Sequence, residues 1–236
     1  MDFSFQINGK EYSVPTTYTV EQWMRLSKWQ LKEKEDWAFI IAQATGAPIR
    51  ELKEIETNDE MLFSFMVSIV FSAFGEISGE VRQKLGKHEL MKLEEMTIGN
   101  FIDLDIWASD GKYFDRLISK LYDMPVEQIK DLPINEVMPA AQYYFNWRRS
   151  VYKAYAELFD YREDEEAKPD PDETPQSPAH AWYETVMVLC DGQFKDIQYV
   201  VGRPYREAFN YLAWKKTKVA AEKMAMLALQ NKYNKK

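Results

Sequence analysis

At 236 residues, 46% hydrophobic and 14% aromatic with seven Trp, the chain has ample apolar content for a core, and general disorder is excluded. A formal net charge of −8 argues against sequence-independent nucleic-acid binding, because neutralising phosphates needs a basic surface. The single cysteine, Cys190, excludes an intramolecular disulfide and any multi-cysteine zinc site; beside Val186, Met187, Val188 and Leu189 it reads as a buried structural thiol.

Phe3 to Ile7 alternates apolar and polar residues, Asn8-Gly9 supplies a turn, and Tyr12 and Val14 alternate again. This is the pattern of a β-hairpin, since Asn-Gly readily takes positive φ at both turn positions. Thr19 is placed to N-cap a helix, with Gln22 completing a capping box and Trp23, Leu26 and Trp29 forming an apolar stripe. Lys28 to Asp36 is charged and reads as a solvated bend. Trp37 to Ala44 predicts a second helix that stops near Gly46-Ala47-Pro48, where Gly suits the C′ position and Pro prevents continuation. Ile49, Leu52 and Ile55 mark a short helical turn, after which Asn58 caps a helix from Met61 to Phe74. The all-round hydrophobicity of that helix predicts a central, buried position. Val81 to Leu93 reads as an amphipathic connecting segment, with His88 in a charged helix.

A second run opens at Thr97, where helical spacing turns Ile98, Phe101, Ile102 and Leu104 inward and Asp103 and Asp105 toward other faces. Phe114 to Tyr122 predicts another helix, and Asn135 caps a long one from Glu136 to Tyr161, with Pro139 tolerated near its first turn. Residues 162–180 carry four prolines, seven acids and no large apolar side chain, the composition of an extended linker. Beyond it, Trp182, Val186, Leu189 and Cys190 share a helical face, Asp191-Gly192 turns the chain, and Gly202-Arg203-Pro204 breaks it again. A last helix from Tyr205 to Leu229 has Phe209, Leu212, Ala213, Met224 and Leu227 on its apolar side. Residues 181–236 are basic, with ten Lys and Arg against five acids.

T-I-G-N-F-I-D-L-D-I-W at 97–107 has a faded copy, T-V-E-Q-W-M-R-L-S-K-W, at 19–29. One residue out of step, Phe39 to Met61 lies over Arg116 to Met138, with Pro48/Pro125, Lys53/Lys130, Asn58/Asn135 and Met61/Met138 coinciding. We read one multi-helix unit used twice, about 16–80 and 94–161, against the plain alternative of two unrelated helix pairs. The expected fold class is therefore mainly α: an N-terminal hairpin and duplicated helical region over 1–161, a linker at 162–180, and a C-terminal helical segment at 181–236. The expected structural caps are Thr19, Thr97, Asn58 and Asn135.

No P-loop, G-x-G-x-x-G, G-x-S-x-G or H-E-x-x-H motif occurs. His88 and His180 lie far apart in sequence, without ligand spacing. Asp103-Leu-Asp105 with Asp110-Gly111 lacks the Gly and Glu of a calcium loop, and helix-start acids favoured by the macrodipole explain it. Trp23, Trp29, Trp107 and Trp147 read as core rather than a binding surface. No catalytic, metal or cofactor-binding residue is expected, and neither a signal peptide nor a membrane span: Met1 to Phe5 carries no basic start, and Met66 to Phe74 is too short to cross a bilayer.

The stretch TIGNFIDLDIW…LISKLY resembles a T-x-G-x-[FY]-I-D-L motif, followed by an apolar helix and L-Y, of tailed-bacteriophage (crAss-like) morphogenesis proteins. The ending carried by Trp182, Tyr183, Leu189, Lys195, Val200, Asn210, Tyr211, Leu212, Trp214 and Lys216 resembles a second recurrent motif of such proteins. The resemblance implies a non-enzymatic virion structural or cargo protein in the particle, with portal, tail or capsid proteins as partners. The alternative is a tail-assembly chaperone in the host bacterial cytoplasm, with a tape-measure-like client. Self-association fits either, and Trp182, Tyr183, Tyr211, Trp214, Lys215 and Lys216 are the candidate partner-binding residues. A nucleic-acid-binding regulator stays open as a third reading, through the four lysines between Trp214 and Lys223.

Overall fold

The computed structural model describes residues 3–15, 17–27, 37–72, 79–159 and 177–233. It is mainly α, with an N-terminal antiparallel hairpin. In chain order the elements are β1 (Phe3–Ile7), β2 (Lys10–Val14), α1 (Val20–Ser27), α2 (Trp37–Thr45), α3 (Ile49–Asn58) and α4 (Glu60–Ser72). There follow β3 (Lys84–Leu85), β4 (His88–Glu89), α5 (Ile98–Ala108), α6 (Phe114–Tyr122), α7 (Val126–Lys130) and α8 (Ile134–Ala154). The chain closes with α9 (Ala156–Phe159), α10 (Pro178–Leu189), α11 (Ile197–Val201) and α12 (Tyr205–Tyr233).

Two compact units share these elements: Met1–Met91 with Asp110–Tyr143, and Lys92–Ser109 with Tyr144–Lys236. The composition break at 162–180 thus falls inside the second unit, and α5 groups with the C-terminal helices.

In the first unit, Asn8 (φ 51°) and Gly9 (φ 76°) make the turn, and Phe3 to Ile7 pairs in register with Val14 to Lys10. The hairpin lies on helices as its marginal intrinsic stability requires: β2 packs on α2, and the Phe3 ring meets Phe65 of α4 edge-on at 5.4 Å. Thr19 caps α1 reciprocally. Its Oγ1 accepts the Gln22 N–H at 3.2 Å, and its own N–H donates to Gln22 Oε1 at 3.0 Å. Helix α1 packs on α6 and α7, with Trp23 against Phe114 at 4.9 Å. Gly46 takes the predicted left-handed position, at φ 73°.

Five expectations are corrected here. Asn58 is the last residue of α3, and the cap of α4 is its neighbour Asp59, whose Oδ1 accepts the Leu62 N–H at 3.0 Å. Asn135 lies inside α8, which starts one residue earlier, directly after Pro133. Helix α4 is not buried all round: Phe63, Met66 and Val70 are core, but Met61 is 84% and Phe65 54% exposed. His88 stands in the small β3–β4 hairpin rather than a helix, the chain turning through Gly86 at φ 61°. The long helix read to Tyr161 breaks at Tyr155, giving α8 and α9. Trp29, the Lys28–Asp36 bend, Phe74 and residues 162–176 of the linker lie outside the described residues.

The second unit reuses a backbone device of the first. In the first, Thr19 bridges Pro133: the Val20 N–H donates to Leu132 O at 2.9 Å and the Ile134 N–H to Tyr18 O at 2.8 Å. In the second, Thr97 bridges Pro204, with the Ile98 N–H to Arg203 O at 2.8 Å and the Tyr205 N–H to Met96 O at 3.1 Å. Proline suits the central position because the bridge draws its hydrogen bonds from the flanking residues, and the missing N–H costs nothing. Thr97 Oγ1 caps α5 through the Asn100 N–H at 3.2 Å. Among the described residues, a helix followed by a left-handed residue and then by two helices, the second longer than the first, occurs three times along the chain. The left-handed residues are Gly46, Asp123 (φ 47°) and Asp191 (φ 46°).

Gly99 shows what the second unit demands of its capped helix. A Cβ there would lie 3.0 Å from Val201 O and 3.2 Å from Val201 Cβ, tighter than ordinary contact, so even a methyl group would force α5 and α11 apart by a few tenths of an ångström. Its counterpart in the faded copy is the exposed Glu21. Gly99→Ala is expected to lower stability by about 1–3 kcal/mol through overpacking, despite the better helix propensity of Ala. Urea denaturation followed by ellipticity checks it; a stabilised variant would contradict the close contact.

Buried phenols make the first unit sensitive to alkali. Burial pushes Tyr18 and Tyr122 from 10.0 up to about 12 in each case, and Tyr122 also donates to Arg82 O at 2.7 Å. A raised folded-state value means that the stability these protonated groups contribute is complete below pH 10. It is lost as pH rises toward 12. Tyrosinate absorbance and ellipticity should change together in that window, and Tyr18→Phe should move the unfolding to higher pH.

Candidate functional site

The second unit is built around an aromatic cluster on α5. Phe101, fully buried, has the rings of Phe209, Trp182, Tyr205, Trp147 and Tyr152 around it at 5.0 to 6.4 Å. Trp147, read as core, is only half-buried, its ring packed on Phe101 from the rim of the cluster. Ile98 and Leu104 join the buried face, while Ile102 is only half-buried.

Asp105 departs from its sequence reading. It is 5% exposed and points into the cluster rather than to a solvated face. Its Oδ1 accepts from Arg148 Nε at 2.6 Å and from the Tyr152 hydroxyl, and its Oδ2 from Trp182 Nε1 at 2.9 Å. Arg148 also donates to the Tyr152 oxygen at 3.1 Å and lies over the Tyr152 ring at 4.8 Å. Burial, reinforced by the Asp105 charge, holds the Tyr152 phenol well above its ordinary range. Burial works against the Arg148 charge, yet the neighbouring Asp105 and Tyr152 keep the guanidinium above its ordinary value. One carboxylate on α5 thereby ties down two side chains of α8 and one of α10. Its chemistry is that of a clamp, with an ionised acceptor and fixed donors.

Above the clamp opens a cavity of about 710 Å³. Its walls include Phe159, Trp182 and Phe209, with Leu212 and Val219 of α12 along one side and Val188 of α10 along another. Asp105 and Tyr152 reach it from the clamp, and Glu184, Thr185, Lys215 and Lys216 supply further polar groups. The size and mostly apolar lining are those of a binding pocket for an apolar group.

The six candidate partner-binding residues do not form one surface. Trp182 is buried, its indole N–H spent on Asp105, so it walls the cavity from inside and is not a free contact residue. Lys215 and Lys216 line the cavity. Lys215 Nζ donates to Asp191 Oδ1 at 2.8 Å and Val188 O at 3.2 Å, and Lys216 Nζ donates to Glu157 O. The bond to Asp191 raises the Lys215 ammonium and lowers the Asp191 carboxyl. Tyr183, Tyr211 and Trp214 lie outside the cavity lining. Tyr183 is exposed, and Trp214, also exposed, lies 5.8 Å from the Tyr211 ring.

The largest departure on α12 is its second half. Phe209 is core, but Met224 and Leu227, expected on an apolar inner side, are exposed, as are Val219, Met226 and Leu229. Ser177 caps α10 through the His180 N–H at 3.3 Å, a signal legible in Ser-Pro yet masked by the linker composition around it. Cys190 is buried, and burial raises its thiol. His180 Nε2 lies 3.4 Å from Glu184. Among the described residues, no group of three or more His, Cys, Asp or Glu is placed to hold a metal ion, and no helix is long and apolar enough to cross a membrane.

Asp105→Asn would set an amide N–H₂ against one of the donors and strip Arg148 of its counter-charge. The expected loss is about 3 kcal/mol or more, the range for breaking one side of a buried ion pair. Urea unfolding of the full chain, with near-ultraviolet ellipticity reporting the aromatic cluster, measures it.

No protein-family model, curated protein or solved structure matches the chain.

Proposed function

We propose that this chain is a non-enzymatic protein of tailed-phage morphogenesis, acting through helical protein–protein contacts as a virion-associated structural or cargo component. Support comes from the motifs at 97–122 and 182–216 and from the surface chemistry of the second unit. The observation that carries the reading is the bare apolar half of α12. A large apolar face left open on a folded protein is characteristic of an interaction surface. Asp105, the one buried acid among the described residues, is consumed by three donors in a structural clamp. It is therefore not poised for acid–base work.

A second reading, an assembly chaperone for an apolar helical client, is favoured by the apolar cavity beside α12. The cavity would shield a client's side chains, and exposed Met224 and Met226 suit a forgiving contact. The two readings separate in quantitative mass spectrometry of purified particles beside the infected-cell lysate. A fixed stoichiometry in particles is expected for the structural or cargo role. Abundance in the lysate with none in particles would transfer the assignment to the chaperone. Absence from both would remove the phage reading.

A further inference from the structure

The face of α12 that lines the cavity continues beyond it. Leu212, Lys216 and Val219 belong to the cavity wall, and steps of four and three along the same face lead to Lys223 and Met226. Val219 is 55% and Met226 64% exposed. From Val219 to Tyr233 the helix runs for about 20 Å at its ordinary rise. A compact small molecule would fill the cavity and leave this strip bare. An elongated ligand covers both.

Charge chooses among elongated ligands. Between Lys215 and Tyr233 the helix carries five lysines and one glutamate. A second copy laid along the same strip would set lysine against lysine, an unfavourable pairing of like charges. Of the acids lining the cavity, Asp105 is engaged by Arg148, Tyr152 and Trp182, and Glu184 lies 3.4 Å from His180 Nε2 at the rim. What the second half of α12 turns outward is apolar side chains interspersed with lysines, of which Lys218 lies 4.0 Å from Glu222 of the same helix.

We propose that the cavity and the exposed face of α12 form one acceptor for an amphipathic helix of a partner protein, apolar along one side and rich in Asp and Glu at its edges. The proposal rests on the assembly-protein reading and names the chemistry of the partner. The partner's apolar side chains anchor in the cavity between Phe159 and Leu212, and its acids meet Lys218 and Lys223 along the strip. This is a helix-in-groove mode, with apolar anchors giving affinity and edge charges giving orientation.

The test uses the full chain and a fluorescent helical peptide of about 20 residues. It carries Leu at alternating steps of three and four and Glu at the flanking positions. A matched peptide has Lys in place of every Glu. The Glu peptide is expected to bind at least about tenfold more tightly than the Lys peptide, and to weaken as salt is raised. Val219→Asp and Met226→Asp change exposed positions, so folding is retained and checked by ellipticity. Each is expected to weaken binding about tenfold. Lys218→Glu with Lys223→Glu should reverse the peptide preference. Equal binding of both peptides, no binding of either, or indifference to Val219→Asp overturns the acceptor. So does sedimentation that shows a dimer abolished by Val219→Asp, or a lipid-sized mass retained in native mass spectrometry that excludes the peptide. Particle incorporation that survives Val219→Asp alongside lost peptide binding would sink the acceptor alone. Peptide binding by a chain absent from particles and lysate alike would sink the phage reading alone.

Discussion

The second unit depends on a charge placed where aromatic rings would otherwise meet only one another. An ionised carboxylate in such surroundings is tolerable only when its lone pairs are filled by well-placed donors. Asp105 meets that condition with a guanidinium, a phenol and an indole, brought by residues 43 to 77 positions away. Each donor has a defined direction, so the carboxylate fixes rotation as well as distance. Helices α8 and α10 can slide or turn against α5 only by leaving a buried acceptor short of a partner. Dispersion contacts around Phe101 tolerate small shifts, whereas this set of hydrogen bonds does not. The same clamp forms the polar end of the cavity and sets the orientation of Trp182, which walls it.

What the sequence discloses and what it hides divide along the range of the chemistry. Asn8-Gly9, Thr19 with Gln22, Gly46 and Thr97 are all legible because their partners sit within four residues. Asn58 fails by one position because Asp59, an equally good cap, stands next to it with a non-helical backbone. Asn135 fails because Pro133 starts the helix earlier than its side chain could. Asp105 is illegible for the opposite reason. Helical periodicity assigns a face to a residue but says nothing of a guanidinium waiting on another helix. The one available hint is Arg148 and Tyr152 four residues apart, a pair able to converge on one acceptor. Burial on α4 and α12 is misjudged because hydrophobicity reports what a residue tolerates, while exposure depends on whether the fold supplies a neighbour.

Repetition in the chain and repetition in space are not the same. Along the chain, the stretch after Thr19 aligns with the stretch after Thr97. In space, Thr19 is joined to Pro133 and Thr97 to Pro204, so each capped helix is completed by a proline-led helix from much further on. The glycine of the T-I-G-N motif belongs to this arrangement, since Gly99 lets α5 come against α11 where the first unit needs no such approach. The motif's most distinctive residue is thus explained by packing.

The Thr–Pro bridges also impose an order of events on a chain made from one end. Each spans more than a hundred residues, and the second opens before the first has closed. At translation rates of roughly 5–20 residues per second, α1 is exposed for several seconds before Pro133 exists, and α5 must likewise await Pro204. Neither threonine can complete its bridge while the ribosome is still making the segment between. The hairpin and local caps can form at once, but closure of both units is a late event governed by distant pairing, the kind that folds slowly. During that interval the Asp105 donors at 148, 152 and 182 are made one after another, but Phe101 still lacks Tyr205 and Phe209, and the nascent chain carries its future core incompletely covered.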